Sequence, residues 1–236
     1  MRGAYVKGWV AVIVVVIAVS WWWTLPSSGT GTAPGSPSRS QVEDLLGRVD
    51  VVAARPHPGG YDRDCGAARG CVFGPAWSDD HPGPEGRDGC DTRNDVLAAT
   101  LREVVFRPGT GNCIVVSGVL DDPYTGARVP FRRADAQAVH IDHIFPLAAA
   151  WDHGAFAWTP ALRRQFANDV VHNLLAVDGP TNMDKSDHTP AEWLPPAAGR
   201  RCWYAGRYLT VAVRYALTIS VDDHRALAAV ATTCPQ

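Results

Sequence analysis

The stretch His140-Ile141-Asp142-His143-Ile144-Phe145-Pro146-Leu147 decides the fold of this chain. Its alternating and β-branched residues predict a strand, and Pro146 indicates that the strand passes into a loop. Neighbouring side chains point to opposite faces of a strand, but this constraint relaxes where the strand ends. Asp142 and His143 can therefore serve one site together, with one side chain facing a metal ion and the next facing a substrate.

Three polar residues downstream complete a pattern with chemical meaning. Asn173 and Asn182 lie nine positions apart, and Lys185 follows three residues later. Hydrolysis of a phosphodiester needs a base that is neutral near working pH and a cation that stabilises the leaving oxygen. His143 suits the first task, and carboxylate or amide oxygens suit a hard divalent cation. We therefore predict metal-assisted hydrolysis.

The rest of the chain predicts an α+β domain. The turn signature at 121–126 separates two extended runs and indicates a β-hairpin, while the Gly, Pro and Asp content of 55–89 indicates a long loop region. We predict helices at 41–52 with Ser40 as the cap, 95–105, 160–167, from 182 to before 195, and 222–230. We predict strands at 113–120, 128–131, 139–147 and 173–177. Residues 207–221 fit a strand or a helix, and their β-branched content favours the strand.

The N-terminal segment differs from this domain. Residues 8–25 form an uncharged run that would rise about 27 Å as a helix, close to the thickness of a bilayer core. Basic residues precede the run and three tryptophans end it, so we predict for 1–25 an uncleaved signal anchor, with a cleaved signal peptide as the alternative. A flexible Ser, Gly and Pro linker is predicted at 26–40 and the catalytic domain at 41–236.

The cysteines agree with export. The chain has 6 cysteines, all after residue 64, and an oxidising compartment favours three disulfides. Proximity favours the pairs Cys65–Cys71, Cys90–Cys113 and Cys202–Cys234. Zinc binding is the alternative, but no CxxC pair is present.

Charge excludes a generally polycationic protein. Net charge is −2, and the first forty residues contain basic but no acidic side chains. A nucleic acid must then be bound by a local patch. Arg93, Arg132 and Arg133 are the predicted nucleic-acid contacts, although a structural ion pair is an equal alternative for Arg93.

Two short strands and a helix bearing Asp-His, Asn and Asn resemble the ββα-metal, or HNH (His-Me finger), nuclease motif. The segments at 61–63, 89–94, 122–126 and 193–196 are similar to those of exported bacterial HNH-family proteins with a GmrSD-type C-terminal nuclease domain. The resemblance implies a ββα-metal core with added helices, the hairpin and disulfide-stapled loops.

The resemblance also implies residue roles. Asp142 and Asn182 would bind the metal, His143 would be the general base, Asn173 would position the base loop, and Lys185 would contact a phosphate. Asn182 stands where the family often has histidine, which favours Mg²⁺, with Mn²⁺ as an alternative, over Zn²⁺. Each residue also has an alternative role without catalytic function. Asn182 could cap a helix, for example, and Lys185 could be a solvated surface charge.

The leading hypothesis is an endonuclease that acts outside the cytoplasmic membrane, is anchored to it or secreted, and cuts DNA, with RNA as an alternative substrate. A second hypothesis is a zinc hydrolase of peptide or cell-wall substrates with His140, Asp142 and His143 as ligands. The absence of HExxH counts against it. A third is an envelope-binding module that keeps the fold without catalysis.

Overall fold

A computed structural model describes residues 32–236 and has the predicted α+β character. Its helices and strands alternate along the chain without a long regular repeat. In chain order they are α1 (Arg39–Arg48), β1 (Val51–Val52), α2 (Thr92–Thr100), β2 (Arg102–Phe106), β3 (Val115–Asp121), β4 (Arg128–Arg132), β5 (Val139–His143), α3 (Leu147–Asp152), α4 (Pro160–Ala167), β6 (Leu174–Asp178), α5 (Gly179–Lys185), α6 (Arg201–Arg214), β7 (Ile219–Ser220) and α7 (Val221–Ala231).

The strands form three small sheets. Strands β2, β3 and β4 form an antiparallel sheet, β5 pairs antiparallel with β6, and β1 pairs parallel with β7. The predicted hairpin is confirmed, since Asp121 pairs with Arg128 and Ser117 pairs with Arg132. The predicted loop region at 55–89 contains no helix or strand.

Two apolar clusters enclose the β5–β6 sheet. The smaller one joins α2 and the three-stranded sheet to the face of β5 that carries Val139 and Ile141. The larger one gathers α1, α3, α6 and α7 around aromatic side chains, among them Phe145 and Tyr208, whose rings stack with centroids 4.5 Å apart. The strand end that bears the Asp-His pair therefore lies between two packed cores.

Two predicted elements are wrong in type. The helix predicted at 95–105 ends at Thr100, and its second half is strand β2, because Val104 and Val105 are β-branched and the segment pairs with β3. The strand favoured at 207–221 is wrong and the alternative, a helix, holds for residues 207–214, which belong to α6. Its buried residues recur every three or four positions, which is the helical period and not strand alternation.

Several predicted boundaries also move. The helix predicted from 182 to before 195 is α5, which begins at Gly179 and ends at Lys185, because Asp178 is its cap. Helix α1 begins at Arg39 and not at Gln41, because Ser38 is the cap and forms a capping box with Gln41. Residues before it, assigned to the flexible linker, pack on the domain: the Ala33 amide donates to the Gly199 carbonyl at 2.8 Å. A Cβ on Gly206 would lie 2.6 Å from Pro37, so α6 accepts this segment only with glycine there.

All three predicted disulfides are confirmed: Cys65–Cys71, Cys90–Cys113 and Cys202–Cys234. Within residues 32–236, no helix has the length and apolar character needed to cross a bilayer. The signal anchor predicted at 1–25 lies outside the described residues and stays a prediction.

Asp95 on α2 generates a prediction about pH. Burial, and then the nearby carboxylates of Asp88 and Asp91, raise the pKa of Asp95 to about 7. The folded state thus holds a proton that the unfolded state releases near pH 4, so this group's contribution to stability falls as pH rises from about 4 to 7. Asp95→Asn should raise the free energy of unfolding at pH 8 by roughly 1–2 kcal/mol, allowing for solvent screening, and have little effect at pH 4.

Urea unfolding at the two pH values measures this difference. Asp44→Asn is the matched control, because Asp44 lies on the exposed side of α1 and loses the same charge. A gain for Asp95→Asn that is equal at pH 4 and pH 8 would contradict the prediction.

Candidate active site

Strands β5 and β6 and helix α5 form a ββα unit. His143 pairs with Leu174 and Val139 pairs with Asp178, after which α5 starts at once with Asp178 as its cap. The helix approaches β5 closely at Gly179, where a Cβ would lie 2.0 Å from the Gln137 carbonyl oxygen. The sequence thus brings residues of α5 beside the end of β5. Because α5 begins at Gly179, Asn182 lies inside the helix, and its alternative reading as the helix cap is wrong.

Asp142 takes part in a buried ion pair. The Lys185 ammonium donates to Asp142 Oδ1 at 3.0 Å and to the His143 carbonyl at 2.9 Å, and the Lys185 side chain is 0% exposed. The Tyr124 hydroxyl donates to Asp142 Oδ2 at 2.5 Å. Burial raises the pKa of Asp142, whereas the Lys185 charge and the Tyr124 hydrogen bond act in the opposite direction. The ion pair joins α5 to the end of β5.

His143 is held as a neutral imidazole. Its Nε2 lies 2.9 Å from the Ala167 carbonyl oxygen, which can only accept, so Nε2 carries the proton and Nδ1 is left as the acceptor. Burial lowers the pKa of His143 to about 3, against the effect of this hydrogen bond and helped by the charges of Arg63 and Lys185. The Trp77 ring stacks on the imidazole with a centroid distance of 6.2 Å.

Asn173 shapes the loop after β5. Its side-chain Oδ1 accepts from the Phe145 amide at 2.9 Å, and its backbone carbonyl accepts from the Ile144 amide at 2.8 Å. Asn173 is 0% exposed. It touches the backbone that follows His143, which is the arrangement expected of a positioning residue, and it has no exposed surface with which to meet a substrate.

Asn182 presents a buried amide oxygen. Its Nδ2 lies 3.4 Å from His140 Nδ1, which fixes the orientation of the amide, while Oδ1 has no hydrogen-bond partner within residues 32–236. A buried oxygen without a partner costs about 1–3 kcal/mol unless something binds it. The Asp142 carboxylate lines the same cleft and keeps lone pairs beyond those used by Tyr124 and Lys185. This all-oxygen donor set fits a hard divalent cation.

An open cleft of about 290 Å³ connects these groups. Its walls include the end of β5, the middle of α5 and the loop before Cys65. The polar residues that line it are Tyr61, Arg63, Asp142, His143, Asn182, Ser186 and Asp187. A neutral imidazole and two residues with oxygen donors therefore line one open cleft, which is an arrangement that can hydrolyse a bound ester.

The structure overturns one predicted role. Lys185 is wrong as a phosphate contact, because it is fully buried and its ammonium is bound to Asp142 and a backbone carbonyl. Arg93 donates to the Val139 carbonyl, and Arg133 donates to Asn94 and the Val115 carbonyl, so each guanidinium has a structural contact, and its contact with a nucleic acid stays a prediction. Arg132 is exposed on β4 and stays a predicted contact.

The described residues do not bring together the three ligands of the zinc site predicted as an alternative. Asp88, Cys90 and Asp95 form a group of three possible ligands whose ligand atoms lie within 4.8 Å of one another. It is the only such group of His, Cys, Asp or Glu side chains among the described residues, and its Cys90 is in a disulfide. His140, Asp142 and His143 do not form such a group, because His140 faces Asn182 while the Nε2 atom of His143 is bound to the chain near α4.

Sequence reasoning missed three residues of the site. Tyr124 was assigned only to the hairpin turn, although a tyrosine at the centre of a turn is an unusual use of a large side chain. Trp77 stands in the predicted loop region at 55–89, and Arg63 belongs to the segment 61–63, which is noted only for its resemblance to a family. No spacing rule links these residues to β5, since a long irregular loop brings Arg63 and Trp77 there.

Comparisons with known proteins agree with the geometry. A family model described as the C-terminal domain of GmrSD restriction endonucleases matches residues 91–230. A protein of Arthroderma benhamiae, described as an uncharacterized secreted protein, is 32% identical over 204 residues, which cover 86% of this chain and 89% of the relative. No solved structure matches the chain.

The family match identifies a nuclease-type domain. The chain belongs to the family of the GmrSD restriction endonuclease C-terminal domain, because the family model matches more than half of it. The GmrSD-type family predicted from the sequence is therefore confirmed. The relative is fungal, whereas the predicted resemblance was to bacterial proteins.

The buried ion pair yields a stability prediction. Lys185→Met keeps the length of the side chain but leaves the Asp142 carboxylate buried without a counter-charge. We expect the free energy of unfolding to fall by roughly 3–5 kcal/mol, measured by urea denaturation. The double variant Lys185→Met/Asp142→Asn removes both charges and should recover a large part of the loss. Equal losses in the single and double variants would show that the pair is not the cause.

Proposed function

We propose that the protein is an exported, metal-dependent HNH endonuclease that hydrolyses DNA phosphodiester bonds, with RNA as an alternative substrate. The observation that carries the proposal is that a neutral His143 lines the same cleft as Asp142 and Asn182, whose side chains offer oxygen donors. Membership of a nuclease family supports a nucleic acid as the substrate.

His143 is the proposed general base. With Nε2 bound to the Ala167 carbonyl, Nδ1 is free to accept a proton from the water that attacks phosphorus. Its lowered pKa keeps the imidazole neutral through the neutral and mildly acidic range. Asn173 keeps the loop after His143 in place, so the base does not have to be oriented during the reaction.

Asp142 and Asn182 are the proposed ligands of a divalent cation, with Mg²⁺ favoured by their oxygen donors and Mn²⁺ as the alternative. Such a cation supplies a positive charge for the developing negative charge on the leaving oxygen. Lys185 and Tyr124 fix the rotamer of Asp142 from the side away from solvent. They act as positioning residues and do not touch the substrate.

Export is part of the proposal. Three disulfides are typical of proteins that fold in an oxidising compartment, and the fungal relative is described as secreted. The N-terminal anchor or signal peptide predicted from the sequence would deliver the domain across the cytoplasmic membrane.

The first test is plasmid digestion by the full-length protein with Mg²⁺ or Mn²⁺. His143→Ala should reduce cleavage by at least about 10²-fold, because the general base is lost. His188→Ala is the matched control, since His188 is exposed just after α5 and its ring makes no hydrogen bond within the described chain. A folded wild type that cuts neither DNA nor RNA with any divalent cation would refute the function, and equal cutting by His143→Ala would refute the base.

A second test addresses the metal without using activity. Mg²⁺ should raise the Tm of the wild type, because it binds only the folded state. Asn182→Ala should abolish that rise while leaving the metal-free protein as stable as the wild type or slightly more stable, since an unsatisfied buried oxygen is removed. A Mg²⁺-dependent rise in Tm that survives in Asn182→Ala would exclude Asn182 as a ligand.

A further inference from the structure

A short loop at 61–71 forms one wall of the cleft and is tightly constrained. The disulfide Cys65–Cys71 closes it, and the Val72 amide donates to the Asp62 carbonyl at 3.0 Å. Its first residue, Tyr61, packs edge-on against Phe73 with centroids 6.3 Å apart. The loop therefore holds its side chains in fixed positions although it has no regular secondary structure.

Arg63 is the exception among the arginines of this region. Its guanidinium makes no ion pair or side-chain hydrogen bond with any of residues 32–236. The other three arginines between 55 and 90 all form ion pairs. These are Arg55 with Asp152 and Asp187, Arg69 with Asp62 and Asp64, and Arg87 with Asp80.

Two acids that neighbour Arg63 in the chain or in the cleft are already paired. Asp62, its chain neighbour, accepts from Arg69 through Oδ1 and from the Gly70 amide through Oδ2 at 2.7 Å. Asp187, on the cleft wall, is bound by Arg55. The positive charge of Arg63 is thus left uncompensated by the protein, and an anion in the cleft is its available partner.

Arg63 also lies next to the base. It lines the cleft of about 290 Å³ and a smaller cavity of about 30 Å³, and His143 lines both. The positive charge of Arg63 contributes to the lowered pKa of His143, which agrees with their proximity. The family model begins at residue 91, so it does not include Arg63.

We propose that Arg63 binds a non-bridging oxygen of the phosphodiester that His143 attacks, and that the Cys65–Cys71 loop holds the guanidinium in place for this contact. This inference rests on the proposed nuclease function. A guanidinium suits the task because its planar donors bind two phosphate oxygens at once, and a rigid loop lowers the entropy lost on binding.

The test compares Arg63→Gln with Arg107→Gln in the full-length protein. Arg107 is exposed, has no side-chain partner within the described chain and lines neither cavity. Arg107→Gln therefore removes the same charge as Arg63→Gln, but at a site away from the cleft. We expect Arg63→Gln to lower kcat/KM on DNA by about 10²-fold, Arg63→Lys to recover part of the loss, and Arg107→Gln to change it less than about 3-fold. Equal kcat/KM for Arg63→Gln and Arg107→Gln would overturn the inference.

A binding experiment separates this inference from the nuclease function. Fluorescence anisotropy with a labelled DNA oligonucleotide is measured in the His143→Ala background, where cleavage does not interfere. Adding Arg63→Gln should weaken binding by about 10-fold, and adding Arg107→Gln should not. If the wild type cuts no nucleic acid, the function fails, and anisotropy still decides the Arg63 contact: unchanged binding in Arg63→Gln refutes it.

The role of the loop has its own measurement. Cys65→Ser/Cys71→Ser should lower kcat/KM in the same direction as Arg63→Gln, because the guanidinium is no longer held. Adding Arg63→Gln to this double variant should produce less further loss than it does in the wild type, since both changes act on one contact. Fully additive losses would refute the coupling. Urea unfolding establishes that each variant is folded.

Discussion

The ion pair between Lys185 and Asp142 organises the site. It connects the last turn of α5 to the end of β5, and the same ammonium also binds the carbonyl of His143. Two charges can be buried together only when each is paired and hydrogen-bonded, so the relative position of helix and strand is strongly restricted. Asp142 cannot then turn away from the cleft, and the backbone that carries His143 cannot shift without breaking the pair.

Around this pair the site is divided by function. The side away from solvent is built from groups that fix geometry, namely Tyr124, Lys185 and Asn173, none of which has exposed surface. The cleft side holds the groups proposed to act on a substrate. A hydrolytic site of this kind gains from rigidity, because charge stabilisation works best when the donors need no rearrangement.

Much of the architecture could be predicted from the sequence, and the misses have physical causes. The ββα unit and the helix at 160–167 followed from local signals such as Pro146 and a clear period. A strand was favoured over a helix for the second half of α6, because its buried aromatic and β-branched residues resemble a strand pattern until tertiary packing is known. Burial of Lys185 and the arrival of Arg63 at the cleft depend on contacts between distant segments, which spacing alone does not encode.

The burial of Lys185 has a chemical consequence. The chain has two lysines, Lys7 and Lys185. Within the described domain the lone ε-amine is therefore sealed inside the ion pair. An amine-selective acylating reagent can reach it only when α5 separates from β5. The rate at which Lys185 becomes labelled thus reports how often α5 separates from β5. No label or probe has to be introduced into the protein for this measurement.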